Sequence, residues 1–290
     1  GYAGPRPRLM TIRDCTLLML GSGTSAGVPV IGCDCAVCTS DDPRYRRLRT
    51  SASLRFRDVE GHERVILIDT SPDLREQALR HRIRRCDAIL FTHNHVDHTF
   101  GLDEVRRFNA LMNAPIDVHA ESHTMEFLER VYRHIFAKQQ NVNDSFVATL
   151  IPNVLDPESS LERFGLRITP LRLLHGNLPV LGFRFDSLDA DGEVAVSQPG
   201  PLPLAYCTDL SALPPETWPR LRGLRTLVLD MLRYRRHPTH LTVDEAVSMA
   251  SEIGAERTVF THMTHDIQHA ELDPRLPDGM QLGHDGLILE

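Results

Sequence analysis

The sequence predicts an α/β fold, built as one domain with two similar halves. Short apolar runs typical of buried strands alternate with stretches of helical periodicity in both halves of the 290-residue chain. Because no convincing linker separates the halves, a single domain over residues 1–290 is the economical interpretation. A residue balance of 41% hydrophobic and 24% charged suits a globular chain with a sizeable core.

In the first half, strands and helices are expected in alternation. The apolar run CTLLML leads into the glycine-rich stretch GSGTSAGVP, which is typical of a buried strand that opens into a loop. Further runs are either β-branched and alternating, as in strands, or carry helical periodicity with few breakers. The predicted strands are 15–20, 53–57, 64–69 and 88–92, and the predicted helices are 74–81, 104–112 and 122–138.

In the second half, the pattern restarts after a polar segment at 139–160 that is interrupted by prolines. That segment is expected to be an insertion or a mobile loop. A helix is expected at 243–253, because Thr242 is a suitable N-cap and Glu245 follows it at capping-box spacing. The predicted strands are 166–174, 180–186, 204–208, 226–230, 257–261 and a last one within 282–289.

The charge and cysteine content limit the classes of function and the compartment. Lys and Arg number 32 against 39 Asp and Glu, so the net charge of −7 disfavours general binding to nucleic acid or to an anionic membrane. A basic cluster at 44–49 is the local exception. No run approaches the roughly 20 apolar residues of a membrane span, and residues 1–13 are expected to be a flexible arm or an expression remnant. Of the six cysteines, three are crowded together, which suits a metal site in a reducing cytoplasm.

The stretch FTHNHVDH carries the strongest chemical signal. His93, His95, Asp97 and His98 follow directly after an apolar strand, where side chains converge in a cleft and contribute little to packing. Alternation along an extended chain puts His93 and His95 on one side, and a turn would bring Asp97 and His98 to a neighbouring position. This arrangement fits two adjacent ions of zinc, manganese or iron. The alternative is a polar surface loop in a chain with 15 histidines.

The motif HxHxDH after a strand resembles the metallo-β-lactamase fold superfamily, which implies an αββα sandwich of two mixed β-sheets flanked by helices. Four more positions match the superfamily in order, each after a predicted strand: Asp69 in LIDTSPD, His175 in LRLLHG, Asp209 in YCTDL and His262 in FTHMTH. The resemblance implies that Asp69 braces the metal loop. It also implies one metal held by His93, His95 and His175, a second held by Asp97, His98 and His262, and Asp209 shared between them.

Two of these positions have plain alternatives. An acid after a strand, such as Asp209, is often only a helix cap, and a histidine before a glycine, such as His175, is commonly a loop residue. The agreement of the other motifs favours ligation. Two cations about 3.5–4 Å apart need a carboxylate that spans them, and together they make hydroxide available near neutral pH.

A second motif, CxCxxC, is formed by Cys33, Cys35 and Cys38, and its spacing lets one loop wrap a tetrahedral ion. These cysteines resemble the branch of the superfamily that includes the phosphoribosyl cyclic phosphate phosphodiesterase. In that branch a histidine just beyond the last catalytic one completes a structural zinc, and here that position is His265. The alternative is three ordinary reduced cysteines. The other three cysteines, Cys15, Cys86 and Cys207, lie in or beside apolar strands and are expected in the core.

The resemblance also covers GSGTSAGVPVIGCDC, DDPRYRRLRTSASL and HPTHLTVDEA. It places His240 near the leaving group, and we expect His240 to act as general acid, with Asp97 helping to position the hydroxide. The alternative for His240 is a histidine at a helix N-terminus without a catalytic role. Ser22, Thr24 and Ser25 are weak candidates for phosphate contacts, because tight turning explains the glycine-rich loop equally well.

The predicted function is a cytoplasmic, metal-dependent phosphodiesterase that acts on a small cyclic phosphate or nucleotide-like phosphodiester. It would use two divalent ions, zinc or manganese, and one structural zinc. A homodimer is compatible with the sequence, and the region 117–160 is expected to be an insertion that shapes the pocket entrance. The alternatives are a nuclease resembling transfer-RNA 3′ processing enzymes, which the acidic chain disfavours, a thioester or lactam hydrolase, and a non-catalytic nucleotide-binding sensor.

Overall fold

A computed structural model describes residues 11–290, which form a four-layer αββα sandwich. Two seven-stranded mixed sheets stack face to face, and helices cover their outer faces. The predicted fold class is therefore confirmed. The strands are β1 Arg13–Gly21, β2 Ser51–Arg57, β3 Glu63–Ile68, β4 Ala88–Leu90, β5 Ile116–Glu121, β6 Leu150–Leu155, β7 Leu161–Arg163, β8 Leu166–His175, β9 Leu178–Ser187, β10 Leu204–Cys207, β11 Thr226–Asp230, β12 Arg257–Thr261, β13 Met280–Leu282 and β14 Ile288–Leu289. The α-helices are α1 Leu74–Arg80, α2 Val96–Thr99, α3 Arg106–Met112, α4 Ser122–Val131, α5 Arg133–Phe136, α6 Val243–Ile253 and α7 His269–Leu272.

The two sheets repeat one design, as the two-half pattern of the sequence predicts. The first has the order β14-β1-β2-β3-β4-β5-β6, in which β3 to β6 run parallel and the remaining neighbours are antiparallel. The second has the order β13-β12-β11-β10-β9-β8-β7, in which β10 to β13 run parallel. Each half thus brings a set of parallel strands whose carboxyl ends lie at one edge.

The main core lies between the sheets. Fully buried Leu54 and Ile66 of the first sheet and Phe183 and Phe185 of the second belong to one apolar cluster. Burial of each such side chain contributes about 1.5–3 kcal/mol. Two further clusters pack the helices against the outer faces of the sheets. The result is a rigid frame for the loops at the strand ends.

Helix α6 begins and ends as its sequence predicts. The hydroxyl of Thr242 accepts from the backbone N–H of Glu245, and the Glu245 carboxylate accepts from the backbone N–H of Thr242. At the other end, Gly254 adopts the left-handed conformation with φ of 69°, which glycine tolerates at no steric cost. This helix packs beside the loop that carries His240.

Several expected elements differ in the structure. The segment 139–160 contains β6, which pairs with β5, so a mobile loop is the wrong description for Leu150–Leu155. The helix expected at 122–138 is broken at Tyr132, whose buried side chain donates a hydrogen bond to the carbonyl of Thr99 over 2.8 Å. The last strand expected within 282–289 is present as β14 but covers only Ile288–Leu289, and the preceding strand β13 belongs to the other sheet.

The end of the amino-terminal segment and the basic cluster at 44–49 both differ from what the sequence predicts. The expected flexible arm at 1–13 lies mostly outside the described residues, and its last residue, Arg13, begins β1. The cluster at 44–49 is not a free basic patch, because Arg47 is buried, Arg44 pairs with Asp42 and Arg49 pairs with Asp73. Within residues 11–290, no helix has the length and apolar character that crossing a bilayer requires.

Candidate metal centre

The histidines and aspartates that the sequence singles out meet at the carboxyl ends of the strands. Each follows or ends a strand or lies in the loop after one, and both sheets contribute. The first sheet supplies Asp69 after β3 and the loop of His93, His95, Asp97 and His98 after β4. The second sheet supplies His175 at the end of β8, Asp209 after β10, His240 after β11 and His262 after β12.

The donor atoms form two groups that share Asp209. Within each group, one ligand atom per residue lies within 4.8 Å of the others. The first group is His93, His95, His175 and Asp209, and the second is Asp97, His98, Asp209 and His262. A third group within the same distance limit, Asp230, His240 and His262, overlaps the second at His262 and does not include Asp209. Residues far apart in the chain therefore converge as the resemblance implies, and the His93 cluster is not an isolated polar turn.

The carboxylate of Asp209 lies between the two groups. Its Oδ1 is 3.1 Å from Nε2 of His98, and its Oδ2 is 3.3 Å from Nε2 of His262. On the other side, Oδ2 is 3.8 Å from Nε2 of His93 and 4.0 Å from Nε2 of His175. A carboxylate in this position can bridge two cations.

Hydrogen bonds at Nδ1 orient several of the imidazoles. His98 donates from Nδ1 to Asp69 over 2.7 Å, and His175 donates from Nδ1 to the carbonyl of Thr239 over 2.8 Å. His93 lies 2.9 Å from the hydroxyl of Thr92, which itself lies 2.8 Å from Asp69. With Nδ1 protonated, Nε2 keeps its lone pair for the interior of the site, as in metal-binding histidines.

Asp69 holds the loop of candidate ligands between Thr92 and His98, which is the role that the resemblance implies for it. It is fully buried, and besides His98 it accepts hydrogen bonds from the backbone N–H and the hydroxyl of Thr92. Burial raises the pKa of Asp69, although the His98 charge and the bonds from Thr92 oppose that shift. The loop between Thr92 and His98 is thus anchored at both ends to one carboxylate.

Three residues of the site hold backbone conformations that are uncommon for residues other than glycine. Asp69, Asp209 and His262 have φ values of 61°, 56° and 65°. Each lies within two residues of the end of a strand, so the left-handed turn ends the strand and redirects the side chain. Such strain costs about 1–3 kcal/mol per residue and is concentrated at functional sites.

The buried carboxylates of the site favour positive charge on the groups around them. His98 is fully buried, and burial alone would lower its pKa, but the charges of Asp209, Asp97 and Asp69 raise that pKa well above its usual value. Burial opposes the charge of Asp97 too, yet the neighbouring His98 and His262 lower the pKa of this carboxyl. Bound cations would satisfy the same carboxylates.

His240 is buried beside the candidate ligands, and its ring centroid lies 4.6 Å from those of His175 and His262. Its Nε2 lies 3.8 Å from Oδ2 of Asp209, and its Nδ1 donates to Asp230 over 2.8 Å. Burial opposes its charge, but Asp230 and Asp209 raise the pKa of His240 to about 9. The exposed side chain of His95 marks where the site opens to solvent.

The cysteines form a separate group with His265. Its Nδ1 lies 3.2 Å from Sγ of Cys33, 3.6 Å from Sγ of Cys35 and 3.3 Å from Sγ of Cys38. A hydrogen bond from the backbone of Cys38 is the main cause that lowers the pKa of Cys35 to about 7, which favours a thiolate. Three sulfurs around one ring nitrogen suit a tetrahedral zinc.

Other expectations from the sequence have mixed outcomes. Ser22 is buried and donates to Asp285 from both its backbone N–H and its hydroxyl, so it is not free to contact a phosphate. Ser25 is exposed and lines a cleft beside Asp97. Asp230 is not among the predicted site residues. The signal that could have identified it is LVLD, which ends a strand on an acid in the same way as LID of Asp69.

An αββα sandwich with this cluster of histidines and aspartates between its sheet edges defines a hydrolase of the metallo-β-lactamase fold. Residues 64–263 match the family model of the beta-lactamase superfamily domain. The chain therefore belongs to the beta-lactamase superfamily, and within it to the PhnP family. The resemblance found in the sequence is confirmed.

Three proteins that are similar to this chain over most of its length carry different names. A solved structure, described as a new diphosphatase from the PhnP family, is 40% identical, with a TM-score of 0.81 over 96% of this chain and 97% of that one. A Porphyromonas gingivalis protein named octanoyltransferase is 34% identical over 93% of this chain, which spans only 50% of that protein. A coenzyme PQQ synthesis protein B of Methylobacterium nodulans is 26% identical over 94% of this chain and 98% of the relative.

Proposed function

We propose that the chain is a metal-dependent phosphodiesterase that acts on a small phosphodiester. The observation that supports this most directly is the shared carboxylate of Asp209 between two groups of donor atoms. A pair of cations bridged in this way is a recurrent arrangement in enzymes that cleave phosphate esters. The 40% identity to a PhnP-family diphosphatase supports phosphoryl chemistry.

The residues fit a pair of divalent cations. The Nε2 atoms of His93, His98 and His262 are buried and have no hydrogen-bond partner, which is costly unless a ligand satisfies them. We assign one ion to His93, His95, His175 and Asp209 and the other to Asp97, His98, Asp209 and His262. Imidazole and carboxylate suit zinc or manganese, and the cysteine group with His265 suits a structural zinc.

When bound, such ions polarise phosphoryl oxygens and make water a usable nucleophile near neutral pH. The chain itself supplies orientation and proton transfer. His240 is held by Asp230 with Nε2 toward Asp209, so this nitrogen can give a proton to the departing oxygen. Asp97, whose Oδ2 lies 3.3 Å from Nε2 of His98 and 3.6 Å from Nε2 of His262, can accept a hydrogen bond from the attacking water and orient it.

A phosphoanhydride is a second candidate for the scissile bond. The 40% identical structure is that of a diphosphatase, and a diphosphate presents the same phosphoryl oxygens as a diester. The leaving group would then be a phosphate, which needs less help from His240 than an alkoxide because it is a weaker base. The His240→Ala variant therefore separates the two substrates.

The test combines metal analysis with a substrate panel. Metal-loaded protein is assayed on bis(p-nitrophenyl) phosphate, 2′,3′- and 1,2-cyclic phosphates, a nucleoside diphosphate ester and a thioester. Turnover of the cyclic phosphates, whose leaving group is an alkoxide, that falls about 100-fold in His240→Ala supports the proposal. Retained thioester turnover with no diester turnover would favour the thioester hydrolase, and no turnover by a fully metallated protein would favour a sensor.

The place of action is also a proposal. All six cysteines are free thiols in the structure, and three of them, Cys33, Cys35 and Cys38, form the proposed zinc site with His265. A reducing cytoplasm keeps such thiols available for zinc. Fractionation of the native host, with zinc content measured in the purified protein, tests this.

A further inference from the structure

A cleft of about 400 Å³ opens beside the candidate metal centre, and its walls are mostly apolar. Val30 and Ile31, from the loop that leads into the cysteines, form part of the lining, and Pro72 and Val96 form another part. Asp97 lines the same cleft, so the cavity is continuous with the second group of candidate ligands. Its volume is in the range of small-molecule sites.

Two aliphatic side chains at this cleft are exposed to solvent and do not pack into the core. Ile31 is fully exposed at 101%, and Val96, between the candidate ligands His95 and Asp97, is 52% exposed. Exposed apolar groups placed together beside polar chemistry mark a contact surface for a ligand. They gain free energy when a substrate covers them.

The charges at the cleft argue against a second anionic group there. Arg49 is the one cation among the lining residues, and its Nε lies 3.0 Å from Oδ2 of Asp73. The same carboxylate oxygen accepts from the backbone N–H of Arg49 over 2.8 Å. Since this charge is already paired and Asp97 is negative, the cleft favours a neutral group.

We propose that the cleft binds an uncharged, mainly apolar group on one side of the scissile phosphate, such as the phenyl ring of an aryl ester. The phosphoryl group would lie at the metal centre while the apolar group contacts Ile31 and Val96. This inference rests on the proposed function and adds to it the chemical class of one substituent. It predicts that a bare phosphate binds without using the cleft.

The cysteine loop fixes one wall of this cleft. The backbone N–H of Val30 donates to Sγ of Cys38 over 3.3 Å, and the carbonyl of Val30 accepts from the backbone N–H of Cys33 over 3.1 Å. The positions of Val30 and Ile31 thus depend on the thiolate group. The CxCxxC motif therefore serves substrate selection as well as folding.

Binding of two probes to the metal-loaded protein tests the proposal. Calorimetry compares phenyl phosphate with inorganic phosphate in wild type, Ile31→Ser and Ala26→Trp. Ile31→Ser should weaken phenyl phosphate roughly fivefold, because it removes one apolar contact. Ala26 also lines the cleft and is exposed, so Ala26→Trp should fill the cavity and weaken phenyl phosphate more than tenfold. Inorganic phosphate should bind all three proteins equally.

Val196→Ser is the matched control, because Val196 is fully exposed and is not among the lining residues of the cleft. It should leave both probes unchanged. Equal binding of phenyl phosphate to wild type and Ala26→Trp, with phosphate binding intact, would overturn this inference and leave the proposed function standing. Failure of metal-loaded wild type to bind phosphate at all would overturn both.

Discussion

The imidazole of His240 donates from Nδ1 to Oδ1 of Asp230 over 2.8 Å, and this contact directs the other ring nitrogen toward Asp209. Asp230 also accepts from the backbone N–H of Asp209 over 3.1 Å and from that of Leu241 over 3.0 Å. One buried carboxylate thus positions both the candidate general acid and the candidate bridging ligand. It acts through those residues and has no need to touch the substrate.

Asp230→Asn should lower kcat on a 2′,3′-cyclic phosphate about 10–100-fold, because the leaving alkoxide needs a proton and the amide cannot hold the imidazole in the same tautomer and charge state. KM should change little, since Asp230 lies behind His240. The alkaline limb of the pH–rate profile should move to lower pH, because the variant lacks the negative charge that raises the pKa of His240. Metal content is measured alongside, because displacement of Asp209 would itself release a catalytic ion. An unchanged kcat at full metal content would contradict the positioning role.

Asp209→Ala should abolish turnover and remove metal from the catalytic centre while the cysteine-bound zinc remains. The two groups of donors share no residue, so the loss should be selective. Elemental analysis of the purified variant measures this directly. Retention of two catalytic ions would show that Asp209 does not bridge, and loss of the cysteine-bound zinc as well would show that the two sites are not independent.

The features that the sequence predicts well are those set by residues that are neighbours in the chain. The strands around the site are apolar runs that end on His or Asp, and those letters alone predict β3, β4, β11 and β12 within two residues at each end. The cluster HxHxDH and the left-handed residues after the strands are local as well. The convergence of His175, Asp209 and His262 on the His93 loop is different, because it is implied by the resemblance to the superfamily and not by the letters of the strands themselves.

Non-local contacts were not predictable in the same way. Strand β6 has a proline and exposed side chains at Ile151 and Val154, because it is the edge of its sheet, so its pattern is that of a loop. The role of Asp230 depends on a hydrogen bond to a residue ten positions on. The cleft depends on the cysteine loop and helix α2 meeting across the site, which only three-dimensional packing reveals.

Arg47→Met should destabilise the fold by about 3 kcal/mol. The side chain is fully buried, donating from Nη1 to the carbonyl of Thr264 over 2.6 Å and from Nη2 to that of Ile267 over 2.8 Å. Methionine would leave both carbonyls without that partner, at a cost of about 1–3 kcal/mol each before relaxation. Urea unfolding at fixed metal concentration measures the change, and Arg46→Met, a neighbour that is only partly buried, is the control. Equal midpoints for the two variants would contradict the assignment.

His269 should make the protein sensitive to acid. Its side chain is buried, and burial, with the charges of Arg44 and Arg47, lowers its pKa to about 4. Between pH 6.5 and 4 the unfolded chain therefore binds a proton that the folded chain excludes, so this stability is present above pH 6.5 and is lost as the pH falls. The free energy of unfolding of His269→Leu, relative to that of wild type, should therefore rise by on the order of 2 kcal/mol between pH 7 and pH 4.

Urea midpoints of wild type and His269→Leu in matched buffers test this point. The difference between the two proteins is the measured quantity, because protonation of the candidate metal ligands affects both alike. His269→Phe should show the same trend if charge rather than shape is the cause. A difference that stays constant from pH 7 to pH 4 would mean that His269 is not excluded from protonation in the fold.

His262 and His265 offer the sharpest comparison, because they lie three residues apart on one loop and face different groups of donors. His262→Ala should remove a catalytic ion and lower kcat more than 100-fold, since its Nε2 lies 3.3 Å from the shared Asp209. His265→Ala should remove only the zinc of the cysteines. Because those thiols hold Val30 at the cleft, KM for bis(p-nitrophenyl) phosphate should rise roughly fivefold while kcat stays within about twofold. Metal content, kcat and KM of the two variants give the answer together. If His265→Ala instead lowered kcat at unchanged KM, the cysteine loop would support the catalytic ions and not the wall of the cleft.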